Sequence, residues 1–113
     1  ENVIYNELRV RGYNVDVGVV PVVRRDSEGR QSRSQLEIDF VCNLGSKRYY
    51  IQSAYRKVDE AKIEQEEASL RRVDDSFKKI IIVGADILVR RSDAGITTMG
   101  IYDFLLNPDS LDL

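Results

Sequence analysis

Residues 35–54 read QLEIDFVCNLGSKRYYIQSA, and this stretch decides the fold that the sequence predicts. Two runs rich in β-branched and aromatic residues flank the pair Gly45 and Ser46. Glycine at the first position of a two-residue loop is typical of a type II′ turn, so we predict a β-hairpin. In that hairpin Leu44 pairs with Lys47, and this pair fixes the register of both strands.

Continued along the strands, the same register sets Asp39 opposite Gln52 and Glu37 opposite Ala54. Because side chains alternate along a strand, we expect these four residues to share one face of the sheet. The other face then receives an apolar set that looks like a core: Leu36, Ile38, Phe40, Cys42, Tyr49 and Ile51. A slip of one residue would destroy this sorting.

Hydrophobic periodicity places the remaining elements. We predict helices over residues 1–11, 57–73 and 101–106, and strands over 15–23, 36–43, 47–54, 79–83 and 96–99. The polar residues 24–34 predict a long hairpin tip, and residues 87–91 are ambiguous. Pro21 cannot donate a ladder hydrogen bond, so we expect the strand that carries it to be an edge strand or to bulge there.

Composition limits the classes of function that the chain can have. The 113 residues suit one domain over 1–113, with 42% hydrophobic residues and a net charge of −2. No apolar run approaches the ~20 residues that a membrane crossing needs, so we expect a cytoplasmic protein with no membrane partner. The absence of histidine excludes the usual zinc and iron ligands. The single cysteine, Cys42, is expected to be a small buried hydrophobe.

The element order and four residues resemble the PD-(D/E)XK nucleases, which have the restriction-endonuclease-like fold. Glu1, Asp39, Gln52 and Ala54 match the family's helix Glu, strand Asp and strand Glu-x-Lys, with Glu7 as the alternative to Glu1. The resemblance implies an α/β fold with an αβββαβ core, followed here by a C-terminal strand and a short helix. In the family the carboxylates hold Mg²⁺, which activates water, and the lysine polarises the nucleophile.

Two departures from that pattern bear on activity. Gln52 offers a neutral carbonyl where the family has a carboxylate, and Ala54 removes the lysine. Glu37 on the same predicted face, with Lys57 or Lys62 from the following helix, could replace the missing groups. Glu1 and Asp39 would then be the metal ligands, and Mg²⁺ the cofactor.

A second resemblance covers the whole chain. The segments ENVIYNEL with RGY, EIDFV, YYIQSAY, DDSFKKIIIV and GIYDFLL resemble the uncharacterised C-terminal domain of prokaryotic AAA-type P-loop ATPases. The chain begins with Glu and not Met, and we expect it to be the C-terminal part of such a protein. No Gly-x-x-x-x-Gly-Lys-Ser/Thr sequence is present, so ATPase activity would belong to the N-terminal module.

Arginines and tyrosines suggest contacts with nucleic acid, each with a simpler alternative. Arg24, Arg25, Arg30 and Arg33 crowd the predicted hairpin tip and could contact phosphates, or they could form a solvated loop whose charge acidic neighbours offset. Tyr49, Tyr50 and Tyr55 could stack on bases, but their alternating placement favours ordinary sheet residues.

These observations lead to one principal hypothesis and two alternatives. The principal hypothesis is a non-catalytic accessory domain of an ATPase, which requires no cofactor and binds or positions a partner. The partner would be its own ATPase module or DNA. The alternatives are an active Mg²⁺-dependent DNA nuclease with a displaced lysine and a purely protein-docking module.

Overall fold

The computed structural model describes residues 2–25, 27–54, 60–73 and 75–113. In this part of the chain the elements are α1 (Asn2–Val10), β1 (Asn14–Arg25), β2 (Gln31–Leu44), β3 (Lys47–Ala54), α2 (Glu60–Arg71), β4 (Lys78–Val83), β5 (Arg90–Arg91), β6 (Thr97–Gly100) and α3 (Ile101–Leu106), with a final 3₁₀ turn at Ser110–Asp112. The predicted α/β class is confirmed.

The strands form one mixed sheet in the order β1-β2-β3-β4-β6-β5. β1, β2 and β3 are an antiparallel meander, β4 is parallel to both β3 and β6, and β5 is antiparallel to β6. The continuous apolar run of β4 follows from this position, because a central parallel strand is covered on both faces. β1 is an edge strand, as Pro21 predicts.

Two hydrophobic cores lie on opposite faces of the sheet. One contains residues of α1, α3 and the 3₁₀ turn, together with Phe40, Cys42, Tyr49, Ile51, Ile80 and Ile82. The other contains Ile63 and Leu70 of α2, together with Leu36, Ile38, Val41, Tyr50, Ala54, Ile81 and Val83. Below, these are the α1 face and the α2 face.

The hairpin turn and the register next to it are confirmed. Gly45 has φ of 61°, and no non-glycine residue in the described part has positive φ, which is the type II′ pattern. Leu44 pairs with Lys47, and the ladder continues to the pair of Phe40 with Ile51.

The predicted sharing of faces along β2 is wrong, and a β-bulge is the reason. Asp16 pairs with Val41 but Gly18 pairs with Ile38, so two residues of β2 oppose Val17 of β1. The extra residue reverses the alternation. As a result Leu36 and Ile38 lie on the α2 face, whereas Phe40 and Cys42 lie on the α1 face.

Gly18 is required next to the bulge. A Cβ at that position would lie 2.3 Å from Cγ2 of Val41, far inside van der Waals contact. This close approach explains why a glycine interrupts an otherwise β-branched strand.

The long hairpin tip predicted for residues 24–34 is also wrong. β1 continues to Arg25, β2 begins at Gln31, and the outermost pair is Arg25 with Gln31. Polar residues are compatible with strands whose faces meet solvent, so their polarity did not mark a loop.

Two further expectations can be compared with the structure. Cys42 is fully buried, as predicted, and burial raises the pKa of its thiol to about 12. Among the helices of the described residues, none has both the length and the apolar character for a bilayer crossing.

Candidate functional site

The candidate site lies where β2 and β3 cease to pair. Their backbone ladder ends at Phe40 and Ile51, and the next two residues are Asp39 and Gln52. Here the Gln52 side chain joins the strands. Its Oε1 accepts a hydrogen bond from the Asp39 N–H at 2.9 Å, and its Nε2 donates to the Glu37 carbonyl at 3.2 Å.

The Asp39 side chain makes the reciprocal connection. Its Oδ2 accepts a hydrogen bond from the Ser53 N–H at 2.7 Å. Each strand therefore presents one side chain to the backbone of the other. We call this group of three side-chain-to-backbone hydrogen bonds the amide bridge.

The amide bridge requires the chemistry of glutamine at position 52. One end of the side chain accepts and the other donates, and a deprotonated carboxylate can only accept. Gln52 is only 5% exposed, so water cannot easily reach the site and replace either of its hydrogen bonds. An amide oxygen already used in this way is a weak ligand for a hard divalent cation.

Ala54, where the nuclease resemblance would place a lysine, is buried on the α2 face among apolar side chains. Glu37 pairs with Val19 and alternates with Leu36 and Ile38, so it lies on the α1 face. The predicted grouping of Glu37 and Ala54 on one face is therefore wrong, because the bulge separates them.

Glu37 and Asp39 line an open pocket on the α1 face. This pocket, of about 510 Å³, is lined by Tyr5, Val17, Val19, Phe40, Glu37 and Asp39, with Gly18 and Ile38. The Tyr5 and Phe40 rings are tilted at a centroid distance of 6.5 Å. We call it the bulge pocket.

The remaining site predictions are only partly covered by the structure. Glu1 and Lys57 lie outside the described residues. Among the residues that are described, His, Cys, Asp and Glu nowhere form a group of three or more that could hold a metal ion. The Mg²⁺ site at Glu1 and Asp39 therefore stays a prediction. Of these two predicted ligands, only Asp39 lies within the described residues.

The predicted nucleic-acid contacts divide into two groups. Arg24, Arg25 and Arg33 lie in β1 and β2, and their side chains are outside the described part of the chain. Arg30 is exposed, with Nε 3.8 Å from a carboxylate oxygen of Glu28.

The tyrosines behave as sheet residues, as the alternation predicts. Tyr49 and Tyr50 are buried, and their hydroxyls donate at 2.6 Å to Asp112 and Asp75. Neither ring has a face available for stacking on a base, and Tyr55 lies outside the described residues.

A second polar network, on the α2 face, was not anticipated from the sequence. The Lys79 ammonium donates to the backbone carbonyls of Asp75 and Phe77 at 2.8 and 3.0 Å, and to Asp75 Oδ1 at 3.3 Å. Tyr50 donates to the other oxygen of the same carboxylate. Burial alone would raise the pKa of Asp75, but the Tyr50 hydroxyl, the Phe77 N–H and Lys79 outweigh it and lower that pKa. The network ties the connection between α2 and β4 to β3.

Sequence reasoning also missed Ser53 and Tyr5 as parts of the site. Ser53 contributes only its backbone N–H, a group that almost every residue type has, so the sequence does not indicate this contact. Tyr5 follows the helical period of α1. It lines the pocket because the bulge in β2 lies next to it, and the sequence of α1 does not indicate that contact.

Comparison with known proteins gives one relative and no assigned activity. No family model matches the chain. The chain is 32% identical over 106 residues to an uncharacterised protein of Haemophilus influenzae, a match that covers 94% of this chain and 22% of the relative. The chain thus spans about a fifth of the length of that relative.

Proposed function

We propose that this chain is a non-catalytic accessory domain that binds or positions a partner for a larger protein. The amide bridge carries the proposal. Two of the residues that match catalytic positions of the PD-(D/E)XK nucleases, Asp39 and Gln52, hold β2 to β3, and glutamine suits this task better than glutamate.

The missing groups argue against hydrolysis on energetic grounds. Each electrostatic contact to a transition state is commonly worth about 2–4 kcal/mol, and both the second carboxylate and the lysine are replaced. Ala54 lies in the α2-face core, so the bulge pocket receives no ammonium from that position. The remaining candidates for the role are Lys57 and Lys62, and the Lys62 ammonium lies 2.7 Å from a carboxylate oxygen of Glu66 on the same helix.

The order of the elements supports a restriction-endonuclease-like core for the domain. A helix, three meandering strands, a helix and a strand parallel to the third follow one another along the chain. We propose that the domain serves a cytoplasmic prokaryotic AAA-type ATPase as its C-terminal domain. The much longer Haemophilus relative agrees with a domain of this size carried within a larger chain.

The second candidate is an active Mg²⁺-dependent DNA nuclease. The observation in its favour is that Glu37 and Asp39 both line the bulge pocket, where two carboxylates could share a cation with Glu1. Under this alternative DNA is the substrate, and the arginines of β1 and β2 contact its backbone.

A cleavage assay separates the two candidates. Branched and single-stranded DNA is incubated with the domain and Mg²⁺ or Mn²⁺, beside Asp39→Ala as the control for a contaminating nuclease. We expect no cleavage by either protein. We also expect no rise in the melting temperature on adding Mg²⁺, because a ligand stabilises only a fold that binds it. Cleavage that disappears with Asp39→Ala would establish the nuclease and exclude the accessory role.

A further inference from the structure

The bulge pocket combines apolar walls with the carboxylates of Glu37 and Asp39. Val17 is 80% exposed, Val19 54% and Tyr5 39%, so the rim presents aliphatic and aromatic surface to solvent. Glu37 pairs directly with Val19 across β1 and β2, which sets its side chain beside this rim. These adjoining apolar groups are available to contact a partner.

Glu37 brings a carboxylate to this rim. Across the described residues, no cationic side chain pairs with its carboxylate. Asp39 adds a second carboxylate to the same pocket. An anionic phosphate backbone would be repelled here, whereas a cation would be attracted.

The chemistry of an arginine side chain matches these walls. Its aliphatic stem can cover Val17 and Val19, its planar guanidinium can stack on the Tyr5 ring, and its N–H groups can donate to Glu37. The pocket also opens beside β1, the edge strand of the sheet, where an extended chain can lie alongside. Pro21 lowers the number of backbone hydrogen bonds that such a chain could make, so side-chain contacts must supply specificity.

We propose that the bulge pocket binds an arginine side chain from an extended basic segment of a protein partner. This inference rests on the proposed accessory function, because it names the class of partner. The experiment that tests arginine binding is separate from the cleavage assay that tests the accessory function. Asp39-dependent DNA cleavage would exclude the accessory role and leave peptide binding at Glu37 measurable.

The probe is the peptide acetyl-Thr-Val-Arg-Val-Thr-amide, compared with the same peptide carrying citrulline, the neutral isostere of arginine. Binding is followed through amide chemical shifts of the ¹⁵N-labelled domain. We expect a dissociation constant of about 1 mM or tighter for the arginine peptide, with the largest shifts at Tyr5, Val19 and Glu37. The citrulline peptide should bind about tenfold more weakly, because it loses a charge-assisted hydrogen bond.

Matched variants locate the site. Glu37→Gln and Tyr5→Ala should each weaken the arginine peptide about tenfold, and Glu64→Gln, the same change on exposed α2, should leave binding unchanged. Equal affinity for the two peptides, no shifts at the pocket, or full binding by Glu37→Gln would overturn the proposal. Concentration-dependent self-association that Glu37→Gln abolishes would overturn it as well, by showing a second copy in the pocket. Competition by single-stranded DNA for the same shifts would point to nucleic acid instead.

Discussion

The two ends of the β2–β3 pair are joined by different chemistry. Near the turn, from Leu44 and Lys47 to Phe40 and Ile51, the strands pair through an ordinary backbone ladder. At the far end the amide bridge replaces the ladder, and the contacts come from the side chains of Gln52 and Asp39. The ladder hydrogen bonds of the first end do not depend on which side chains are present, because every residue except proline carries the same backbone donor and acceptor. The second depends on the identity of two residues.

This difference gives Asp39 and Gln52 a structural role in the sheet. Where strands separate, backbone donors and acceptors lose their partners, and leaving them unpaired is costly. At this point of the sheet the Gln52 amide serves both the Asp39 N–H and the Glu37 carbonyl.

The largest effect is expected from Gln52→Glu, which changes the bridge without changing its shape. At neutral pH the new carboxylate faces the Glu37 carbonyl in a buried position, and an uncompensated buried charge costs about 3 kcal/mol or more. Burial raises the pKa of this carboxyl in the folded state above its unfolded value. The folded state therefore holds the proton more tightly, and the loss of stability should shrink as the pH falls.

Urea denaturation of Gln52→Glu and the wild type between neutral pH and pH 4 measures this difference. Gln35→Glu, at an exposed position of the neighbouring strand β2, is the control and should stay close to the wild type throughout. A variant as stable as the wild type at neutral pH would mean that a carboxylate is accommodated at position 52, as in a metal site.

A smaller effect is expected from Gln52→Ala, which removes the bridge without adding charge. The Asp39 N–H and the Glu37 carbonyl both lose their partner, at a cost of about 2–3 kcal/mol in the free energy of unfolding. Gln35→Ala should change it by less than about 0.5 kcal/mol. Equal losses for the two alanine variants would show that water serves the strands as well as the amide does.

The smallest effect is expected at the ladder end, from Tyr50→Phe. This change removes only the hydrogen bond from the Tyr50 hydroxyl to the Asp75 carboxylate, worth about 1.5 kcal/mol because the acceptor is charged. That bond helps to lower the pKa of Asp75, so its contribution is present above the ordinary pKa of an aspartate and is lost as the pH falls through the lowered value.

Thermal or urea unfolding at neutral pH and near pH 3 tests this sign. The wild type and Tyr50→Phe should differ at neutral pH and converge in acid. Tyr102→Phe supplies the matched change on an exposed ring of α3 and should have no effect at either pH. A difference that grows on acidification would contradict the role assigned to Asp75.

Much of the fold could be predicted because it depends on local patterns. The turn at Gly45, the register beside it, the apolar run of β4 and the edge position of β1 each follow from residue types within a few positions. The sequence also predicts that Asp39 and Gln52 lie next to each other, and in the structure the Asp39 N–H donates a hydrogen bond to Gln52.

The errors arise where the outcome depends on a neighbouring strand. The bulge at Asp39 accompanies the close approach of Gly18 in β1 to Val41, and the residues of β2 alone do not indicate it. Because the bulge reverses the alternation, Leu36 lies on the α2 face, and Glu37 and Ala54 lie on opposite faces of the sheet. The same reversal places Glu37 in the pocket that Tyr5 lines. The burial of Lys79 is a similar case, since its partners lie in the connection that precedes its strand.

The bulge also determines which kinds of mutation the domain can accumulate. A substitution at a single position of β2 alters one contact, but the deletion of one residue near position 39 would restore regular alternation and turn Leu36 and Ile38 toward the wrong helix layer. An insertion there would do the same. Across homologous chains we therefore expect length changes to collect in the connection between β1 and β2, while the spacing from Ile38 to Val41 stays constant.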